Sequence, residues 1–128
     1  MEQQAQQQIP SIQFERDEDF TNLYANHIAS EMSVWDLKVT FGILDQSTQP
    51  NKIVQHTAIN LPWAQVKLAA YFLQVAVALH EEQNAKIHIP PQLRPLDPTT
   101  VDGPEVAIVS PETKTKIAAM YQAFLASL

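Results

Sequence analysis

The chain has no cysteine among its 128 residues. That excludes disulfides, zinc–thiolate sites and thiol catalysis, and nothing in the composition marks an oxidising compartment. Glycine is almost as scarce. Gly42 and Gly103 are the two present, too few for a loop that cradles phosphate, and no serine or threonine stands on a glycine-flanked elbow. Basic residues are also few. Eight Lys and Arg face fourteen Asp and Glu for a formal charge of −6, and they are scattered from Arg16 to Lys116 without a run. Such a field repels phosphate backbones, so nucleic acid is not an expected partner. No apolar stretch is long enough to span a bilayer, and the start Met1-Glu2-Gln3-Gln4-Ala5 lacks the basic and apolar regions of a secretory signal. The expectation is a cytoplasmic protein without a membrane partner.

What is present is the balance of a chain that folds. Hydrophobic residues make up 45% and charged ones 17%, enough apolar surface for one core but too short a chain for two ordinary domains. The sequence therefore predicts a single α+β domain over residues 11–128. A disordered, Gln-rich tail over 1–10 precedes it, and a Pro-rich linker over about 89–104 leads to a C-terminal helix over about 111–127.

Ile12 and Phe14 alternate with polar neighbours, as in a short edge strand, and Glu15-Arg16-Asp17-Glu18-Asp19 reads as a surface turn. Leu23 to Met32 is compatible with a strand. The clearest strand is Trp35 to Leu44, with Trp35, Leu37, Val39, Phe41 and Ile43 on one face and Asp36, Lys38 and Thr40 on the other, the alternation of an antiparallel sheet. Asp45 to Asn51 is a turn by composition. Ile53 to Leu61 then returns with Ile53, Thr57, Ile59 and Leu61 on one side. The expected sheet is an antiparallel meander of three to four strands packed against a long helix.

Pro62 ends the ladder and opens that helix, roughly Trp63 to Asn84. Lys67, Gln74, Glu81 and Glu82 share one sector with Tyr71 and Ala78. At ~100° per residue, Val66, Leu68, Phe72, Leu73, Val75, Val77 and Leu79, with alanines between, cover an arc of about 220°. One neighbouring surface covers only about half of that, so these seven residues are the candidate interface. The second cover is either the C-terminal helix or the same helix of another subunit. Ser110 is a natural N-cap for the C-terminal helix, Pro111 and Glu112 suit its first turn, and Ile117, Met120, Tyr121, Phe124, Leu125 and Leu128 form its apolar stripe. Val106 to Val109 before it is short, β-branched and strand-like.

With Tyr24-Ala25-Asn26-His27, Asp36-Leu37-Lys38-Val39-Thr40-Phe41-Gly42 and Leu61-Pro62-Trp63-Ala64-Gln65-Val66-Lys67 in this order, the chain resembles domain-of-unknown-function family 3467, small bacterial and archaeal domains. The likeness covers about residues 22–87, closing on Glu81 to Ile87. It implies strands followed by a helix, and it brings no activity, catalytic residue or cofactor. Asn84-Ala85 stand where that family usually has a glycine, which leaves Asn84 to supply a left-handed cap.

No local motif carries chemistry. His80-Glu81-Glu82-Gln83-Asn84 begins like a helical zinc-protease motif, but Asn84 stands where the second histidine is required. His27, His56 and His88 lie on other segments, and no metal ligands are assigned. Glu31 with Asp36, and the Asp17-Glu18-Asp19 cluster, fit a solvated strand face and an acidic turn better than paired acid–base carboxylates.

No catalytic residue and no cofactor are therefore expected. The function that fits is a non-catalytic protein-interaction module, self-associating as a homo-oligomer through its helix or an open sheet edge and able to bind another protein or peptide. One alternative is a small-molecule or metal-binding sensor or enzyme, with a pocket between sheet and helix lined by Trp35, Trp63, Phe41 and Phe72. Another is a chaperone similar in topology to the SecB-type export chaperones.

Overall fold

A computed structural model describes residues 11–100 and 109–128. The chain divides into two compact units, Met1–Trp63 and Ala64–Leu128. The first holds β1 (His27–Met32), β2 (Asp36–Asp45) and β3 (Lys52–Pro62), and the second holds nearly all of α1 (Trp63–Gln83), a single 3-10 turn (Pro91–Leu93) and α2 (Pro111–Ala126). The strands form one antiparallel sheet in the order β1-β2-β3, so the class is α+β and the sheet is the expected meander with three strands. The Gln-rich tail lies outside the described residues, as does the strand-like Val106–Val109 segment apart from Val109.

The β1–β2 connection is fixed by one side chain. Ser33 Oγ accepts from the backbone N–H of Trp35 (3.1 Å) and of Asp36 (3.0 Å) and donates to Asp36 Oδ1 (2.8 Å). The Ser33 N–H donates to the Asp36 carbonyl at 2.9 Å, and the Trp63 indole N–H reaches the Ser33 carbonyl at 3.1 Å. These bonds hold Trp35 in the turn, 84% exposed. The expectation that Trp35 belongs to the inner face of the strand is thereby corrected: a serine-capped turn takes its N–H before the ladder begins at Asp36.

At the other end of the hairpin Asn26 prolongs the ladder. Its N–H donates to the Gly42 carbonyl (3.1 Å), its Oδ1 accepts from Leu44 N (2.7 Å), and its Nδ2 lies 3.5 Å from the Leu44 carbonyl. The strand starts at His27, later than the expected Leu23, because Asn26 fills the pairing position with side-chain bonds. No strand forms around Ile12 and Phe14, where the backbone from residue 11 to 26 has no regular structure. The acidic turn is present: Asp17 accepts from the N–H groups of Asp19 and Phe20, and the Arg16 guanidinium lies 4.6 Å from the centre of the Phe20 ring.

The β2–β3 ladder pairs Phe41 with Thr57 but Gly42 with Gln55. His56 is the extra residue of a β-bulge, which reverses the facing of everything before it. Val54, opposite Ile43, joins Thr57, Ile59 and Leu61 on the apolar face, while Ile53 lies opposite Leu44 on the other. The expected placement of Ile53 with Thr57 and Ile59 is corrected, since strict alternation does not survive a bulge. Beyond Asp45 the turn is held by its carboxylate, which accepts from both the N–H and the hydroxyl of Ser47. The Ser47 hydroxyl first, and its N–H next, hold the Asp45 carboxyl below the usual carboxylate range.

In the second unit α1 begins directly after Pro62, the last residue of β3. It ends without a left-handed cap, because no described non-glycine residue has a positive φ. Instead the Asn84 N–H and its Nδ2 both donate to the His80 carbonyl (3.0 and 3.1 Å), and Glu81 Oε2 accepts from Ile87 N at 2.8 Å. The described part of the Pro-rich segment holds a 3-10 turn, tied by Arg94 Nε to the Ile89 carbonyl at 3.1 Å, and a second turn at Pro98–Thr100 in which Thr100 N donates to the Asp97 carbonyl at 3.1 Å. Ser110 caps α2 as its sequence predicts, its Oγ accepting from Thr113 N at 3.2 Å.

Candidate interaction surfaces

In register, Ile28, Ser30 and Met32 of β1 lie opposite Phe41, Val39 and Leu37 of β2, which lie opposite Thr57, Ile59 and Leu61 of β3. With Ile43 and Val54 they make one almost wholly apolar face, nine of its eleven residues being hydrophobic. The other face carries His27, Glu31, Asp36, Lys38, Thr40, Gln55 and Asn60, with Glu31 opposite Lys38. Nothing in the sheet-bearing unit covers the apolar face: Ile28, Met32, Val54 and Ile59 are between 48 and 65% exposed. Among the described residues only Gly42 is buried, and no apolar side chain is. β1 and β3 are both open edges, and β3, eleven residues long, has no proline before Pro62.

The seven candidate interface residues of α1 resolve into two stripes. At ~100° per residue, Val66, Leu73 and Val77 lie within about 40° of one another, and Leu68, Phe72, Val75 and Leu79 within about 60°, with Ala69 and Ala76 between the stripes. Val77 has company within its own unit. With Glu81, Ile87, Ile89, Phe124 and Leu128 it lines a cavity of about 150 Å³, so the end of α2 meets the first stripe near Val77. Leu68, Phe72, Val75 and Leu79 of the second stripe are between 39 and 63% exposed, and on the first stripe Leu73 and Val77 are 67 and 46% exposed while Val66 is half-buried. Tyr71 lies beside it, its ring 5.6 Å from that of Phe72.

A second cavity in this unit, of about 330 Å³, lies between the Pro95–Pro98 segment and α2, lined by Leu96, Ile117, Met120, Tyr121 and Phe124 among others. Tyr121 donates its hydroxyl to the Pro95 carbonyl at 3.1 Å. Among the described residues the lining has neither histidine nor carboxylate.

The histidines stay on separate elements. His56 bonds Thr57 Oγ1 (2.8 Å) and the Tyr24 carbonyl (2.9 Å), His80 Nδ1 lies 3.3 Å from Asn84 Nδ2, and His88 is exposed. His27 Nδ1 is buried without a partner. Among the described residues no three His, Asp or Glu side chains come together as a metal site would require. Asp36, considered with Glu31 as a carboxylate pair, instead fastens the Ser33 turn and accepts from Asn60 Nδ2 at 3.2 Å. Asp17 likewise serves its own turn.

Residue patterning missed the part of the surface made by Ile28, Met32 and Val54, and the exposed Val34-Trp35 tip. Two signals were available: the Ser33-x-x-Asp36 spacing of a serine-capped turn, and the polar trio Gln55-His56-Thr57, which breaks the alternation where the bulge sits. No described helix is long and apolar enough to cross a membrane. No protein-family model, curated protein or solved structure matches this chain.

Proposed function

We propose that this chain is a non-catalytic, cytoplasmic interaction module that works as a homo-oligomer and holds another protein or peptide on its apolar sheet face or along an open sheet edge. One observation carries the reading: the apolar sheet face and the Leu68–Leu79 stripe of α1 are each left bare by the unit that contains them. A large apolar side chain left in water forgoes about 1.5–3 kcal/mol, and eight such residues are too many to be stray surface hydrophobes. The strands-then-helix layout also accords with family 3467, beside which we place the chain on the residues quoted above.

A SecB-like chaperone is a second form of the same reading, favoured by the uncovered apolar sheet in an acidic chain. For the sensor or enzyme alternative the 330 Å³ cavity is one candidate pocket, and its described lining suits an apolar side chain better than a reacting metabolite.

Sedimentation velocity of the intact protein at tens of micromolar tests the reading. The expected result is a species at twice the chain mass of 14.4 kDa or a higher multiple. A monomer at every concentration would overturn self-association.

A further inference from the structure

Building on the self-association reading, we infer that β1 pairs antiparallel with β1 of a second copy, about a two-fold axis at Ala29. The order β1-β2-β3 leaves one side of β1 without a strand among the described residues, and Ile28, Ser30, Glu31 and Met32 are exposed. One step beyond the Met32–Leu37 pair, Ser33 N donates to the Asp36 carbonyl, and ladder bonds alternate along a strand. His27, Ala29 and Glu31 therefore bond inward to β2, and the backbone groups of Ile28 and Ser30 point outward. Such a row of free donors and acceptors takes an extended strand.

Side-chain order selects that strand. An axis at Ala29 sets Ile28 opposite Ser30 of the second copy on both sides, so the outward backbone groups of these residues bond one another. It also sets His27 opposite Glu31 of the second copy, in the closely spaced pairs where side chains approach most nearly. His27 Nδ1 is buried without a partner, so Nε2 is the ring nitrogen left to donate to that carboxylate. An axis at Glu31 would bring two carboxylates together, and an axis at Ser30 would set Glu31 against Ala29. The occupant is a copy of β1, because histidine, alanine and glutamate at two-residue intervals are complementary to themselves when reversed. β3 has no such pattern: no carboxylate lies between Lys52 and Pro62, and the His56 bulge bends the strand. Pairing in this register turns both apolar faces the same way, and three strands from each copy make one continuous surface for a bound chain. The contact uses no residue of α1, so it stands beside any contact made by the seven candidate residues there.

The chain has no cysteine, so single introduced thiols report the register by cross-linking under mild oxidation. Each variant is made in the full chain, with its fold checked by circular dichroism. Ala29→Cys is expected to link to itself at least about 10-fold faster than Val34→Cys, an exposed collisional control, since directly opposite residues lie within disulfide reach. His27→Cys and Glu31→Cys should link slowly alone and quickly when mixed, because the mixed pair keeps the other His27–Glu31 contact. Quick self-linking at 27 or 31, or of Glu31→Cys with Ala29→Cys, would overturn the inference. Oligomers of the unmodified chain in sedimentation velocity, with no variant linking faster than the control, would move the interface off β1 and leave self-association standing. A monomeric mass for the unmodified chain would remove both.

Discussion

Gly42→Ala is expected to destabilise the sheet-bearing unit by about 2–4 kcal/mol, an effect at the severe end for a single added methyl group. A Cβ at this position would lie 2.6 Å from the Val54 carbonyl oxygen and 3.0 Å from Gln55 Cα. Both are backbone atoms in a paired strand, so neither can rotate aside as a side chain would. The cause is the His56 bulge, which draws the β3 backbone in against β2 at the step where pairing passes from Phe41–Thr57 to Gly42–Gln55. Urea unfolding followed by far-ultraviolet circular dichroism checks the expectation. Lys38→Ala, exposed on the same strand, should stay within about 0.5 kcal/mol of the parent. Equal midpoints for Gly42→Ala and the parent would contradict the close approach.

Phe72→Asp should weaken association by at least about 100-fold, close to 3 kcal/mol. Phe72, 63% exposed, is the largest of the seven candidate interface residues of α1. Each copy loses the burial of a ring, worth roughly 1.5–3 kcal/mol, and gains a carboxylate in an apolar contact that offers it no donor. Gln74→Asp makes the informative comparison, because it adds the same charge one turn-sector away on the polar side of α1 and should leave the dissociation constant within about threefold. Sedimentation equilibrium across concentration distinguishes the two variants. Equal weakening by both would show a general charge effect in place of an apolar interface on α1.

The legibility of this molecule in its sequence follows physical lines. Features set by local backbone preference were readable: the Ser110 cap, Pro62 at the strand-to-helix junction, the Asp17 and Asp45 turns, and the 3.6-residue periodicity that delimits α1 to within a residue. Features set by a long-range pairing choice were not. The bulge at His56 changes which of Ile53 and Val54 shares a face with Ile59, and it depends on how two strands meet. Trp35 has the alternation of a core residue, yet Ser33 takes its N–H and leaves the indole in solvent. The left-handed cap expected at Asn84 gave way to bonds from its amide and backbone to His80, which satisfy the helix end with ordinary dihedrals. For the interface, the excess apolar arc of α1 was visible in the spacing of its residues. Which of the seven are covered was not: Val66 alone is half-buried, and Val77 shares a cavity with Phe124 and Leu128.

Self-association through the apolar surface is tested most directly by the urea midpoint of the unmodified protein, measured from low to high micromolar. A folded state that exists as an oligomer gains about 1.4 kcal/mol per tenfold rise in concentration for a dimer, so the midpoint should climb steadily across the series. A midpoint independent of concentration, with full unfolding amplitude at the lowest dilution, would mean that one chain satisfies its own apolar surfaces and would contradict the account.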